Sequence, residues 1–96
     1  METKKNIEKA VCEHFKVKLE DIYGRKGKRE YPLDGARNCL LWLLYSNGYK
    51  SYDIARIFNI TDRQVFNIAA KVAVALKSDT KIKEDIKSIN QKLNMQ

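Results

Sequence analysis

Residues 51–72 read SYDIARIFNITDRQVFNIAAKV, two short amphipathic segments separated by a break. A helix-turn-helix needs a small residue where its helices touch, a residue that tolerates left-handed backbone at the turn, and branched apolar residues on the second helix. Ala55 is the small residue, and Asn59 is the residue at the turn. Val65 and Ile68 are the branched apolar residues. The spacing therefore predicts a helix-turn-helix over residues 51–72.

The second helix of this motif has a well-marked start. Thr61 followed by Gln64 is a capping box, in which each side chain accepts a hydrogen bond from the other residue's backbone N–H. Once the branched residues turn inward, the outward face carries Asp62, Arg63, Phe66, Asn67, Ala70 and Lys71. Arg and Asn at the start of such a helix have the geometry to bind guanine and adenine edges in a major groove. Phe66 fits either a contact with a thymine methyl group or closure of the core edge.

A longer apolar helix is predicted upstream of the motif. Pro32 suits its first position, where the missing N–H costs nothing, and the helix should end near Asn47 with Gly48 beyond it. At 100° per residue, Trp42 points about 180° away from the stripe that contains Leu40. Both sides must therefore be covered, which makes this the central helix and Trp42 a core residue.

Further helices are predicted on either side of this pair. The first runs from about Lys4 to Phe15 with Thr3 as its N-cap, and a short helical turn then closes at Gly24. Residues 78–80 (Ser-Asp-Thr) are suited to cap a last helix. The apolar residues of that helix recur at spacings of four, three and four: Ile82, Ile86, Ile89 and Leu93.

Between these helices, residues 25–31 form a basic segment with no apolar periodicity, which we interpret as a loop. A single core usually takes about 100 to 200 residues, so a chain of 96 residues is expected to form one domain over residues 1–96. The sequence thus predicts an all-α fold, a bundle of five to six helices with the helix-turn-helix embedded in it.

Three further expectations concern the burial of particular residues. Residues 72–76 (VAVAL) are apolar on every side of the helix, so they should be enclosed. His14 has no second metal ligand at a suitable spacing and is expected at the surface. Cys12 and Cys39 match neither a disulfide framework nor a metal site, so we expect reduced thiols in the core.

The charge balance restricts the classes of partner. Nineteen Lys and Arg against twelve Asp and Glu give a net charge of +7 and a pI near 9.5. A domain this basic is expected to bind polyanions, nucleic acid before a membrane surface. No stretch approaches the ~20 apolar residues of a spanning helix, and residues 1–9 are too polar for a signal peptide. We therefore expect a cytoplasmic protein without a membrane partner.

The order of these parts resembles the C-terminal DNA-binding domain of the bacterial replication initiator DnaA, a helix-turn-helix variant related to the Trp repressor. The similar segments are the first helix with the Leu-Glu-Asp-Ile turn, the basic loop, Ala36-Arg37 in the central helix, and residues 54–72. The resemblance implies that Arg29 enters the minor groove, that Arg37 contacts phosphate, and that residues 62–67 read the major groove. Because the recognition helix begins Thr-Asp-Arg-Gln-Val here and Asp-His-Thr-Thr-Val in the family, we do not expect it to bind the initiator's own site.

The expected function is double-stranded DNA binding with some sequence preference, as a small regulator or a replication or mobile-element accessory. The predicted DNA-binding residues are Arg25, Lys26, Lys28, Arg29, Arg37, Ser51, Thr61, Asp62, Arg63, Gln64, Asn67 and Lys71. No nucleophile triad, phosphate loop or metal motif is present, so we expect no enzyme activity, cofactor, metal or small-molecule substrate. Two alternatives to DNA binding stay open. The first is a protein-interaction or assembly module on the same fold, with a partner in a replication or mobile-element complex. A second is an RNA or nonspecific polyanion binder. The oligomeric state is open, since no heptad seam or long exposed apolar face is evident.

Overall fold

The computed structural model describes residues 3–24, 33–78 and 81–94, and within these ranges the chain forms six α-helices and no strand. The helices are α1 (Lys4–Phe15), α2 (Leu19–Gly24), α3 (Leu33–Ser46), α4 (Ser51–Phe58), α5 (Asp62–Leu76) and α6 (Lys81–Asn94). The predicted all-α architecture of five to six helices is therefore confirmed. Pro32, the basic loop at 25–31 and the cap residues at 79–80 lie outside the described residues.

The ends of the helices follow from local chemistry. The Thr3 hydroxyl accepts a hydrogen bond from the Asn6 N–H at 3.2 Å and caps α1, as predicted. Lys16 then adopts a left-handed conformation with φ 58°, which ends α1. At the end of α3 the chain passes through Gly48 at φ 93°, a conformation that glycine adopts without a steric penalty. These ends agree with those predicted from the sequence.

Helix α3 lies at the centre of the bundle and contacts all five other helices. Its Leu40, Leu41 and Leu44 are fully buried, because α1 and α5 both pack against it. Trp42 is half-buried and packs against the same core, which confirms the two-sided burial predicted for this helix. None of the helices in the described part of the chain has the length and apolar character to cross a membrane.

Helices α1 and α6 meet at a polar contact formed by His14, Lys81 and Asp85, which we call the joint. The prediction that His14 lies at the surface was wrong. The Nε2 of His14 lies 2.8 Å from Oδ1 of Asp85, whose side chain is only 4% exposed, and the His14 side chain is 20% exposed. The Lys81 ammonium approaches the same carboxylate oxygen at 3.8 Å. His14 is therefore an internal partner of a buried carboxylate on the last helix, not a surface residue. Because the two residues are 71 positions apart, local spacing gives no sign of the pair.

The thiols of Cys12 on α1 and Cys39 on α3 stay protonated at neutral pH, because burial raises the pKa of both. Burial, and secondarily the Asp85 carboxylate, raises the pKa of the Cys39 thiol to about 12. Burial, and secondarily Glu8, also raises the pKa of the half-buried Cys12 thiol. Both cysteines are free, as expected, although only Cys39 is fully inside the core. The Tyr23 hydroxyl donates a hydrogen bond to the Glu8 carboxylate and links α2 to α1.

Candidate nucleic-acid interface

The turn between α4 and α5 has the chemistry that the sequence predicted. Asn59 is left-handed at φ 56°, and its N–H points to the carbonyls of the last turn of α4. The Ile60 N–H donates to the Ala55 carbonyl at 2.9 Å, which holds the chain against α4. Ala55 is 5% exposed and belongs to the core, as expected for the small residue between the two motif helices.

The capping box fixes the start of α5. The Thr61 hydroxyl accepts from the Gln64 N–H at 3.1 Å, and Gln64 Oε1 accepts from the Thr61 N–H at 2.9 Å. Both residues, predicted as DNA contacts, thus have a structural role at this end of the helix. Asp62 and Arg63 follow in the first turn with exposed side chains. The beginning of α5 is therefore capped by two side-chain hydrogen bonds and polar on its surface.

A groove of about 300 Å³ runs between the first half of α3 and the first half of α5. Its apolar lining comes from Leu41, Phe58, Ile60 and Ile68. Its polar lining comes from both helices: Asp34, Arg37, Asn38, Gln64, Asn67 and Lys71. Four of these six, Arg37, Gln64, Asn67 and Lys71, were predicted from the sequence as DNA-binding residues. The fold brings together side chains from segments more than twenty residues apart.

Asp34 and Asn38 are the groove residues that sequence reasoning missed. A signal for them exists, because residues 34, 37 and 38 are the polar positions near the start of a helix that is otherwise largely apolar. At 100° per residue they share one side of α3. They therefore mark the side of α3 that lines the groove together with Leu41.

Arg37 has two roles at the edge of this groove. Its Nε–H donates to the carbonyl of Ile22 at 3.1 Å, which ties α3 to the end of α2. The same guanidinium lines the groove, and its side chain is half-buried. Arginine is suited to such a position because its planar head offers several N–H donors in different directions. The bond to α2 holds the positive charge at a fixed place.

Asn67 and Lys71 lie one turn apart on the exposed side of α5. Their side chains make no hydrogen bond or ion pair with any of the described residues. Arg63 is exposed in the same way, one turn before Asn67. The helix therefore presents two cations and an amide to solvent beside the groove.

The remaining predicted residues are placed less centrally or lie outside the described ranges. Ser51 is half-buried at the first position of α4 and does not line the groove. The four predicted residues of the basic loop, Arg25, Lys26, Lys28 and Arg29, are outside the described residues. Within the described ranges, the predicted residues other than Ser51 thus gather at the groove and in the first turns of α5.

The outer side of α5 also carries exposed apolar residues. Phe66 is 48% exposed, and its ring meets that of Tyr45 in α3 edge to face, with the ring centroids 6.0 Å apart. Val74 is 68% exposed, so the prediction that residues 72–76 are enclosed was wrong. The reason is the helical period, since Val72 faces the core and a residue two positions later points about 200° away.

No protein-family model and no curated protein matches this chain.

Proposed function

We propose that this protein binds double-stranded DNA, with the first turns of α5 in the major groove and the α3–α5 groove against the adjacent backbone. The observation that carries the proposal is the groove itself. It gathers Arg37 of α3 with Asn67 and Lys71 of α5, beside the exposed Arg63 in the first turn of α5. An α-helix of about 10–12 Å diameter fits a major groove about 12 Å wide.

We assign the polar and charged residues of this surface to two kinds of DNA contact. Arg63 and Asn67 occupy outward positions of α5, where their side chains suit guanine and adenine edges. Arg37 and Lys71 flank the groove, where a positive charge suits a phosphate oxygen. In the sequence, Arg25, Lys26, Lys28 and Arg29 come shortly before α3, and the net charge of the chain is +7. We assign these four residues to further contacts with phosphates or the minor groove.

The resemblance to DnaA C-terminal domains is consistent with this assignment and adds the proposed biological setting. The role we propose is that of a small regulator or an accessory of replication or of a mobile element, acting in the cytoplasm. The sequence-specific part of the interaction rests on α5, because phosphate contacts alone carry no sequence information.

A second candidate function is a protein-interaction module on the same fold. The exposed Phe66, Tyr45 and Val74 favour it, since apolar side chains on a surface often mark contacts with proteins. The two candidates differ in their dependence on salt. DNA binding must weaken steeply with salt as counterions are released from the duplex, and an apolar protein contact need not.

The test is a salt series on the intact chain. A duplex enriched from a random pool and a scrambled duplex are titrated at several salt concentrations, with the unchanged protein and with Lys71→Ala. We expect the slope of log K against log salt to become shallower by about one in Lys71→Ala on both duplexes.

Lys87→Ala is the matched control, because Lys87 is an exposed lysine on α6, which does not line the groove. Its salt slope should stay close to that of the unchanged protein. Equal slopes for all three proteins would contradict a phosphate contact at Lys71. The absence of salt-dependent binding to any duplex would leave the protein-interaction function as the better account.

A further inference from the structure

The side of α5 that faces away from the core combines polar and apolar residues in a way that the proposed contacts with purines leave unexplained. Phe66 is nearly half exposed, three positions after Arg63 and one before Asn67. Ala70 follows one turn later and is also exposed. The apolar pair Phe66 and Ala70 therefore lies beside the polar side chains of the same helix, not on a separate surface.

The Phe66 ring is held in place from one side. Tyr45 contacts it edge to face, in the geometry that aromatic pairs prefer, with 6.0 Å between the centroids. Val65 and Ala69 on the same helix are 0% and 4% exposed, so they face the core, whereas Phe66 is 48% exposed and does not. The structure thus fixes an apolar surface on the outside of the helix before any ligand binds.

The chemistry around this pair indicates which ligand fits it. Arg63 and Lys71 are both on α5 within five positions of Phe66, and the exposed Asp62 precedes it by one turn, so the apolar surface is bordered by two cations and one carboxylate. A protein partner of ordinary stability needs about 800 Å² on each side, which is far more than two or three side chains supply. In a DNA major groove, by contrast, the thymine C5-methyl is the only apolar group among donors and acceptors.

We propose that Phe66, with Ala70, contacts a thymine C5-methyl group in the major groove and that Tyr45 is a positioning residue for the Phe66 ring. This inference rests on the proposed DNA-binding function and adds thymine to the bases that α5 discriminates. Arg63 and Asn67 then bind purine edges through hydrogen bonds, and Phe66 distinguishes thymine through a methyl group that cytosine lacks.

The test removes that methyl group from the DNA without changing its hydrogen bonds. In the enriched duplex each dT is replaced in turn by dU, and the Kd of each duplex is measured at one salt concentration. At one or two positions we expect the unchanged protein to bind the dU duplex about fourfold more weakly, as the burial of one methyl-sized group implies. Phe66→Ala should bind more weakly and should no longer distinguish dT from dU at those positions.

Two further variants separate contact from positioning. Phe66→Leu keeps an apolar side chain and should retain part of the dT preference. Tyr45→Ala keeps Phe66 in the chain but removes the ring that positions it. The preference for dT over dU should therefore fall, although Phe66 itself is unchanged. The matched control is Tyr52→Ala, because Tyr52 is an exposed tyrosine on α4 whose ring faces the Lys50 ammonium, 5.8 Å from its centroid, and not Phe66. It should keep the full preference, and melting of each variant shows that the fold is intact.

Three results would overturn the inference. Equal binding of dT and dU duplexes at every position, with preference for the enriched sequence intact, would reject the methyl contact and leave the proposed function standing. A change of oligomeric state in Phe66→Ala with an unchanged dT preference would assign the patch to a protein contact. Failure to bind any duplex would reject the inference and the proposed function together.

Discussion

The joint between α1 and α6 and the groove between α3 and α5 both collect polar side chains, and they use them in opposite ways. At the joint, the Asp85 carboxylate is almost fully buried, and it has His14 at 2.8 Å and Lys81 at 3.8 Å as partners inside the protein. In the groove, Asn67 and Lys71 are exposed and make no side-chain hydrogen bond or ion pair with the described residues.

This difference separates groups that hold the fold from groups that can bind a ligand. A buried polar group without a partner costs about 1–3 kcal/mol, so the joint can keep its carboxylate only by satisfying it internally. A polar group in solvent carries no such cost and stays available to a phosphate or a base. Substitutions at the joint should therefore change stability, and substitutions on the exposed side of α5 should change binding.

The largest effect on stability is expected for Asp85→Ala. The change removes a carboxylate that is 4% exposed and leaves the mostly buried His14 N–H without its acceptor, so it should lower the free energy of unfolding by about 2–3 kcal/mol. Denaturant unfolding followed by helical circular dichroism measures it. DNA affinity, measured below the melting temperature, should stay close to that of the unchanged protein, because α6 does not line the groove.

Lys81→Ala is the control at the same joint. The Lys81 side chain is 65% exposed, and exposed ion pairs contribute about 0–1 kcal/mol, so this variant should unfold nearly like the parent. A double-mutant cycle with His14→Ala isolates the coupling between His14 and Asp85. If Asp85→Ala cost no more than Lys81→Ala, the buried pair would not be what fastens α6 to α1.

A substitution between the motif helices should affect both properties at once. Ala55 is 5% exposed at the contact of α4 with the turn, and Ala55→Leu adds three carbon atoms where the core is closed. We expect a loss of about 1–3 kcal/mol in stability together with weaker DNA binding, because α5 is displaced from α4. Thermal melting and duplex titration of the same sample measure the two effects.

Arg56→Leu is the comparison for this variant, since it places a leucine at the next, exposed position of α4. It should melt close to the parent. A variant Ala55→Leu with the melting temperature and affinity of the parent would mean that the packing assigned to residues 51–72 is wrong.

What the sequence could predict was local. The capping box of Thr61 and Gln64, the left-handed Asn59 and the apolar period of each helix all lie within a few residues, so the helices and the motif could be read directly. The pairing of His14 with Asp85 could not, because it exists only once α1 and α6 are packed together. The burial of Val74 was misjudged for a related reason, since an apolar run does not say which of its sides a neighbour covers.

The candidate site shows the same limit. Asn67 and Lys71 were predicted from the outward face of one helix, and Arg37 from a resemblance. Asp34 and Asn38 were missed because they join the site only through the contact of α3 with α5. Residues that join a site only when two helices pack together are hard to find in the sequence. Residues on one exposed face of a helix recur at the helical period and can be found.

The smallest of these effects, and the one most specific to recognition, is expected for Arg63→Lys. The guanidinium can bind O6 and N7 of guanine through two parallel hydrogen bonds, and the lysine ammonium keeps the charge without that planar fork. Preference for the enriched duplex over a scrambled one should therefore fall about tenfold, or about 1.4 kcal/mol, with an unchanged salt slope. Arg56→Lys makes the same chemical change at an exposed arginine of α4 and should keep the preference. Competition titrations of both variants against the two duplexes measure it. Equal preference in Arg63→Lys and the parent would place base recognition outside the first turn of α5, even if Lys71→Ala still reports a phosphate contact.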